Sequence, residues 1–132
     1  MSLFIDASAV VAMLAQESDA REFTLRLDDA AELLWSPITR WEAVAGLARA
    51  RTISRTTARD TVLAFGQEWS ITLVSVGERE DNIASEAHRI YGRSSGHPAR
   101  LNMGDCFAYA CAKTNNARLL YKGDDFAKTD LA

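Results

Sequence analysis

The chain has 132 residues, 48% of them hydrophobic: one domain's length with enough apolar material for a core, which excludes a disordered tether. Fifteen Lys and Arg against eighteen Asp and Glu leave a formal charge of −3, excluding the global basic excess that marks many nucleic-acid binders. No apolar run approaches the roughly 18 residues of a membrane-spanning helix, and the opening MSLFID has no basic segment and an early acid, unlike a secretory leader.

In chain order, the apolar run at residues 3–5 predicts a first strand, with Asp6 directly after it. Helical patterns follow at 8–16 and 19–27, then a strand at 33–35. Pro37 opens a helix at 38–51 that contains Glu42, and Ser54 precedes a helix at 56–69. A strand at 71–76 leads to a helix at 79–91. Residues 92–100, GRSSGHPAR, read as a flexible loop. Asp105 begins a helix at 104–114, and a last strand at 118–121 ends in a Lys-Gly turn before Asp124 and Asp125. The strands are rich in Leu, Ile and Val without polar alternation, as in a parallel sheet covered on both faces. With no repeat or linker to divide it, the chain is predicted to be a single α/β domain over residues 1–132, a three-layer fold with a short central parallel sheet flanked by helices.

Charge is unevenly spread. Residues 1–34 hold seven acids and two arginines, whereas residues 40–61 hold five arginines and two acids. Residues 87–104 carry Arg89, Arg93 and Arg100 with no acid. Such clusters attract a polyanion at one face, although each arginine alone reads as a solvated helix residue. Cys106 and Cys111 fall five apart in one predicted helix, so their side chains diverge and no disulfide is expected. Two cysteines without a histidine pair make no zinc site, and a reducing cytoplasm is the expected compartment.

In an open parallel sheet the ligand site lies beyond the carboxyl ends of the strands. Asp6 stands there, and Asp124 or Asp125 reaches the same end after the last strand. Asp105, at a helix start, is favoured as an ionised carboxylate by the free amides and the helix dipole. Glu42 shares a helix face with Ala45, Gly46 and Arg49, facing either solvent or a site. Singly, each acid has an ordinary reading as a turn former, cap or surface residue. Gathered in one pocket, they repel unless a cation neutralises them, and hard oxygen donors select Mg²⁺ or Mn²⁺.

Asp6 in LFIDASA, Glu42 in SPITRWEAV, Asp105 in RLNMGDCFAYA and the tail LLYKGDDFAKTDL together resemble the VapC branch of PIN-domain ribonucleases. The resemblance spans the chain in order. It implies a Mg²⁺-dependent endoribonuclease, with Mn²⁺ able to substitute, and one or two ions activating a water for phosphodiester hydrolysis. By position, Asp6 and Asp105 correspond to the principal metal ligands and Glu42 to the third acid. For the fourth, Asp124 and Asp125 are both available and Asp124 is favoured; Asp130 reads as a structural residue of the chain end. The resemblance also implies a cognate VapB-like antitoxin, a homodimer and an RNA substrate, as the toxin of a type II toxin–antitoxin pair.

Ser8 reads as a helix N-cap or as a contact to a phosphate or metal-bound water, and Asn102 as a turn cap or as an orienter of Asp105 or contact to substrate. Arg93 and Arg100 are expected to hold RNA phosphates, with His97 beside them. Trp35, Trp41, Trp69 and Phe107 read as core or interface residues rather than base-stacking platforms. A dehalogenase-type phosphatase needs an Asp where Ser8 stands. A metal-dependent adhesion domain needs a serine where Val10 stands, and a receiver domain needs an acidic cluster before Asp6 that is absent. A catalytically inactive PIN-like module that binds RNA or protein is the non-enzyme alternative.

Overall fold

The structure is a computed structural model that describes residues 1–131. Four parallel strands, β1 (Ser2–Ile5), β2 (Glu32–Trp35), β3 (Thr72–Leu73) and β4 (Arg118–Leu120), lie in the order β3-β2-β1-β4. Phe4 pairs with Leu34 on one side and Leu119 on the other, so β1 is central. The sheet order reverses at β1, which places a crevice at its carboxyl end, just where Asp6 follows.

Six helices cover the sheet: α1 (Ala7–Leu14), α2 (Ala20–Asp29), α3 (Pro37–Arg51), α4 (Arg55–Glu68), α5 (Glu78–Tyr91) and α6 (Met103–Thr114). Leu3, Ile5, Leu33 and Trp35 point into one core with residues of α1 to α4. Phe4 and Leu34, one residue out of phase, point into a second core with α5 and α6. The period of two along each strand thus divides the apolar side chains between two helical layers, giving the expected three-layer α/β fold.

Local chemistry fixes the helix that carries Glu42. The Ser36 hydroxyl accepts the Thr39 amide (3.2 Å), Pro37 occupies the first turn, and Thr52 closes α3 in the left-handed conformation. Two expectations need correction. The strand predicted at residues 71–76 pairs with β2 over two residues, Thr72 and Leu73, both exposed at the sheet edge. Residues 92–100 form a knitted turn rather than a flexible loop. The Leu101 amide donates to the Tyr91 carbonyl (2.8 Å), the Arg93 amide to the Leu101 carbonyl (3.2 Å), and Ala99 and Leu101 are buried. Both cysteines are free and buried in the α6 layer. No helix among the described residues is long and apolar enough to cross a membrane.

Candidate active site

Asp6 is 5% exposed and is the N-cap of α1. Its amide donates to the Leu120 carbonyl (2.9 Å), tying the end of β1 to β4. Its carboxylate accepts the Ser8 amide (3.0 Å) and the Ser8 hydroxyl (2.6 Å) on the same oxygen, Oδ2. The Ser8 hydroxyl in turn accepts the Lys122 amide (2.9 Å) beyond β4. The expected cap at Ser8 is therefore corrected: Asp6 caps α1, and Ser8 holds the Asp6 carboxylate in place.

Asp105 lies in the first turn of α6 in a reciprocal pair with Asn102. The Asp105 amide donates to Asn102 Oδ1 (2.8 Å), and the Asn102 amide donates to Asp105 Oδ2 (3.0 Å). Asn102 thus both caps the helix and fixes one oxygen of Asp105. Glu42 arrives from α3 and lies against the same turn. A Cβ on Gly104 would stand 1.9 Å from Glu42 Oε2 and 2.3 Å from its Cδ. The missing side chain of Gly104 makes the space that Glu42 fills. That role is invisible in a sequence, where Gly104 reads as a helix boundary.

The three acids share a cleft of about 350 Å³ with Ser8, Val11, Glu17, Arg49, Asn102 and Lys122. Burial pushes the Glu42 carboxyl up to about 7, with the charges of Asp6 and Asp105 adding to the effect. Asp105 is pushed up to about 6 by burial, Asp6 and Asp125, against lowering by the Asn102 amide and the charge of Arg93. Asp6 is raised by burial and by Asp125, opposed by its bonds to Ser8. Each acid therefore resists ionisation in the presence of the others.

From the tail, the charge of Asp125 acts on both Asp6 and Asp105, although neither Asp124 nor Asp125 lines the cleft. Gly123, at φ +96°, turns the chain after β4, and Asp125 precedes a single 3₁₀ turn, Phe126–Lys128, anchored by buried Phe126. Asp130 is structural, as expected: it accepts the Tyr109 hydroxyl (2.7 Å) and pairs with Lys113 (2.5 Å), both on α6.

Arg93 lies within electrostatic reach of Asp105. Arg100 is exposed at φ +51°, and His97 packs edge-on against Tyr91 and accepts the Ala99 amide at Nδ1 (3.1 Å), which gives it a structural task. Trp35 belongs to the core and Trp69 packs against it. Trp41 does not: it is 67% exposed, with the Arg55 guanidinium 4.2 Å above its ring, because two residues from Thr39 and from Ala43 it lies on the far side of α3 from its buried face. Arg49, Lys122 and Glu17 also line the cleft. Arg49 was visible as a residue sharing Glu42's face; Lys122 and Glu17 carried no signal, since they meet only in the fold.

An all-carboxylate donor set of mutually repelling groups fits a hard divalent cation. Among the described residues no three or more His, Cys, Asp or Glu are gathered tightly enough to enclose an ion.

The PIN-domain family profile matches residues 3–131. A VapC ribonuclease of Rhizobium meliloti (strain 1021) is 42% identical, over 97% of this chain and 98% of that protein. The chain is a PIN-domain protein of the VapC ribonuclease family. Ribonuclease VapC42 of Mycobacterium tuberculosis (strain H37Rv) is 34% identical over 98% of this chain and 96% of its own length. Among solved structures, the M. tuberculosis VapC20 toxin, described as cleaving the sarcin–ricin loop, matches this VapC chain with a TM-score of 0.72. It is 16% identical and covers 95% of this chain and 92% of its own. A toxin–antitoxin complex from Klebsiella pneumoniae gives a TM-score of 0.71 at 17% identity, over 99% and 94%. These two likenesses establish the shared fold.

Proposed function

We propose that the protein is the toxin of a type II toxin–antitoxin pair and a divalent-metal-dependent endoribonuclease acting in the cytoplasm, with Mg²⁺ its ion and Mn²⁺ able to replace it. The observation that carries this reading is the convergence of Asp6, Glu42 and Asp105, from β1, α3 and α6, in one cleft at the sheet's switch point. The 42% identity to a VapC ribonuclease supports the same reading.

When bound, a divalent ion neutralises the carboxylates, activates a water for in-line attack and stabilises charge on the phosphate oxygens. Asp6 and Asp105 are its ligands in this reading, with Glu42 and Asp125 completing the acidic site. Ser8 and Asn102 act on the ligands: Ser8 locks one oxygen of Asp6 and Asn102 one oxygen of Asp105, so both carboxylates offer their remaining oxygens in fixed directions. Ser8 is thereby a positioning residue before it is a substrate contact. Arg93, within reach of Asp105, holds a phosphate at the cleft's edge; Arg100 adds to the field of that loop. The partner is a VapB-like antitoxin, in keeping with the Klebsiella toxin–antitoxin complex that shares the fold, and the active species is a homodimer.

Purified protein should cleave RNA on addition of Mg²⁺ or Mn²⁺ and stop on chelation, while Asp6→Asn and Asp105→Asn fold normally and lose at least about 100-fold in rate. Metal-independent cleavage, or full activity in either variant, overturns the assignment. RNA binding without cleavage in the wild type would favour the inactive PIN-like module instead.

A further inference from the structure

The cleft carries two cations as well as its acids, and they are not equivalent. Lys122 Nζ is committed to Glu17 (2.5 Å) and lies 3.5 Å from Asp19, so two acids already answer its charge. Arg49 also lines the cleft and is exposed, and it takes part in none of the ion pairs among the described residues. It stands seven residues after Glu42 on α3, two helical turns along the same face, so the two residues open on the same cleft from different turns of the helix. Gly46 lies between them on that face, where its Cβ would meet Val11 at 2.9 Å; α1 therefore packs closely against α3 here and holds this part of the face still.

A polyanion entering this cleft meets Asp6, Glu42, Asp105 and Glu17. Repulsion from four carboxylates is met at the metal for one phosphate, while the neighbouring phosphates need cations of their own. Arg93 serves the Asp105 side. Within the cleft itself, the planar donor fork that no ion pair among the described residues engages is that of Arg49, and such a fork matches two oxygens of one phosphate.

Building on the ribonuclease reading, we propose that Arg49 is a substrate-binding residue that grips an RNA phosphate flanking the one being cleaved. The strand is then held over the carboxylates at two points, by Arg93 near Asp105 and by Arg49 two turns along α3 from Glu42. The grip is to phosphate, so it carries no base preference.

The test uses the full chain and a single-stranded RNA oligonucleotide that the wild type cleaves. Arg49→Gln is expected to raise KM about tenfold with kcat changed by less than threefold, and to flatten the dependence of log KM on log salt by about 0.7, the value of one lost contact to a single strand. Arg49→Lys keeps the charge and should restore the salt slope but only part of the KM. Arg118→Gln removes the same charge at the amino end of β4, away from the cleft, and should leave both parameters unchanged. A second readout needs no cleavage: Asp6→Asn should bind a fluorescent form of the oligonucleotide about tenfold more tightly than Asp6→Asn with Arg49→Gln. Unchanged KM and salt slope, a loss confined to kcat, or an equal effect of Arg118→Gln overturns the proposal and leaves the ribonuclease reading standing. A wild type that cleaves no RNA overturns that reading, and equal RNA affinity of the two Asp6→Asn proteins overturns the grip independently of it.

Discussion

Glu42 sits on the first turn of α6 because Gly104 offers no side chain there, and this makes a glycine part of the site. In Gly104→Ala the new methyl would overlap the Glu42 carboxylate, the free end of a flexible side chain, so the fold yields at little cost while the acid is displaced. The variant should melt within about 4 °C of the wild type, equivalent to about 1 kcal/mol, yet lose about 10- to 100-fold in cleavage, as expected when a reacting group shifts by about an ångström. Equal activity would show that Glu42's place is immaterial. The acids also leave a mark on metal-free stability. Burial and like charge raise Glu42 to about 7 and Asp105 to about 6 in the folded protein. A carboxyl raised on folding stabilises fully below its ordinary value near 4, and that contribution is lost as pH rises through the folded value. Chelated protein should therefore become less stable from pH 5 to 8, and Glu42→Gln should remove part of the decline, about 1–3 kcal/mol. Denaturant melts at the two pH values check this; an unchanged slope in the variant removes Glu42 from the cluster. Asp6 and Asp105 stand out in the sequence because one follows a strand and the other opens a helix, whereas Glu42, inside α3, is marked only by its family resemblance. The fourth acid is not legible in the sequence, where Asp124 and Asp125 are adjacent and differ only in how Gly123 turns the chain and Phe126 anchors the next turn.

At the scale of elements, α6 works at both ends. Its first turn holds Asp105, and its middle and last turns hold the tail through Tyr109 and Lys113 on Asp130. This staple ties the tail that follows Asp125 to α6. Asp130→Ala leaves the largely buried Tyr109 hydroxyl without its acceptor and should cost about 1–3 kcal/mol, seen as a lower melting temperature, with activity falling as the tail loosens. Tyr109→Phe removes the donor instead and should cost less, about 1 kcal/mol, because the exposed Asp130 keeps Lys113 and water as partners. If Asp130→Ala melts like the wild type, the staple is idle. The helices were legible to within a residue or two because Ser36, Ser54 and Asn102 are helix-capping types at the proposed starts. The third strand was overextended because an apolar run at an exposed edge looks the same in a sequence as a buried strand. The loop at residues 92–100 looked flexible from its glycines and serines, whereas side-chain to backbone bonds such as Ser95 Oγ to the Gly92 carbonyl (2.7 Å) order it.

On the scale of the whole molecule, the alternation of Leu3, Phe4 and Ile5 between two cores fixes three layers, and the crevice at the carboxyl end of β1 is where they open. The net charge of −3 gave no warning of this, because the acids that matter are concentrated in one cleft rather than spread over the surface. A pocket of raised carboxylates invites any cation, and a protein partner can supply one. We expect the antitoxin's C-terminal segment to lie along the cleft and direct an arginine or lysine at Asp6, Glu42, Asp105 or the tail acid, neutralising the charge that the metal otherwise neutralises. The two ligands then compete, and linkage makes the effect mutual: saturating Mg²⁺ raises the antitoxin's apparent dissociation constant by the same factor that antitoxin raises that of Mg²⁺. Screening by salt would mimic this, so the antitoxin is titrated at low and high Mg²⁺ with ionic strength held constant by a monovalent salt. Glu42→Gln should shrink the coupling, since one of the shared charges is gone. An affinity indifferent to Mg²⁺, together with undiminished cleavage in the complex, would mean that the antitoxin binds away from the carboxylates and restrains the toxin by some other contact.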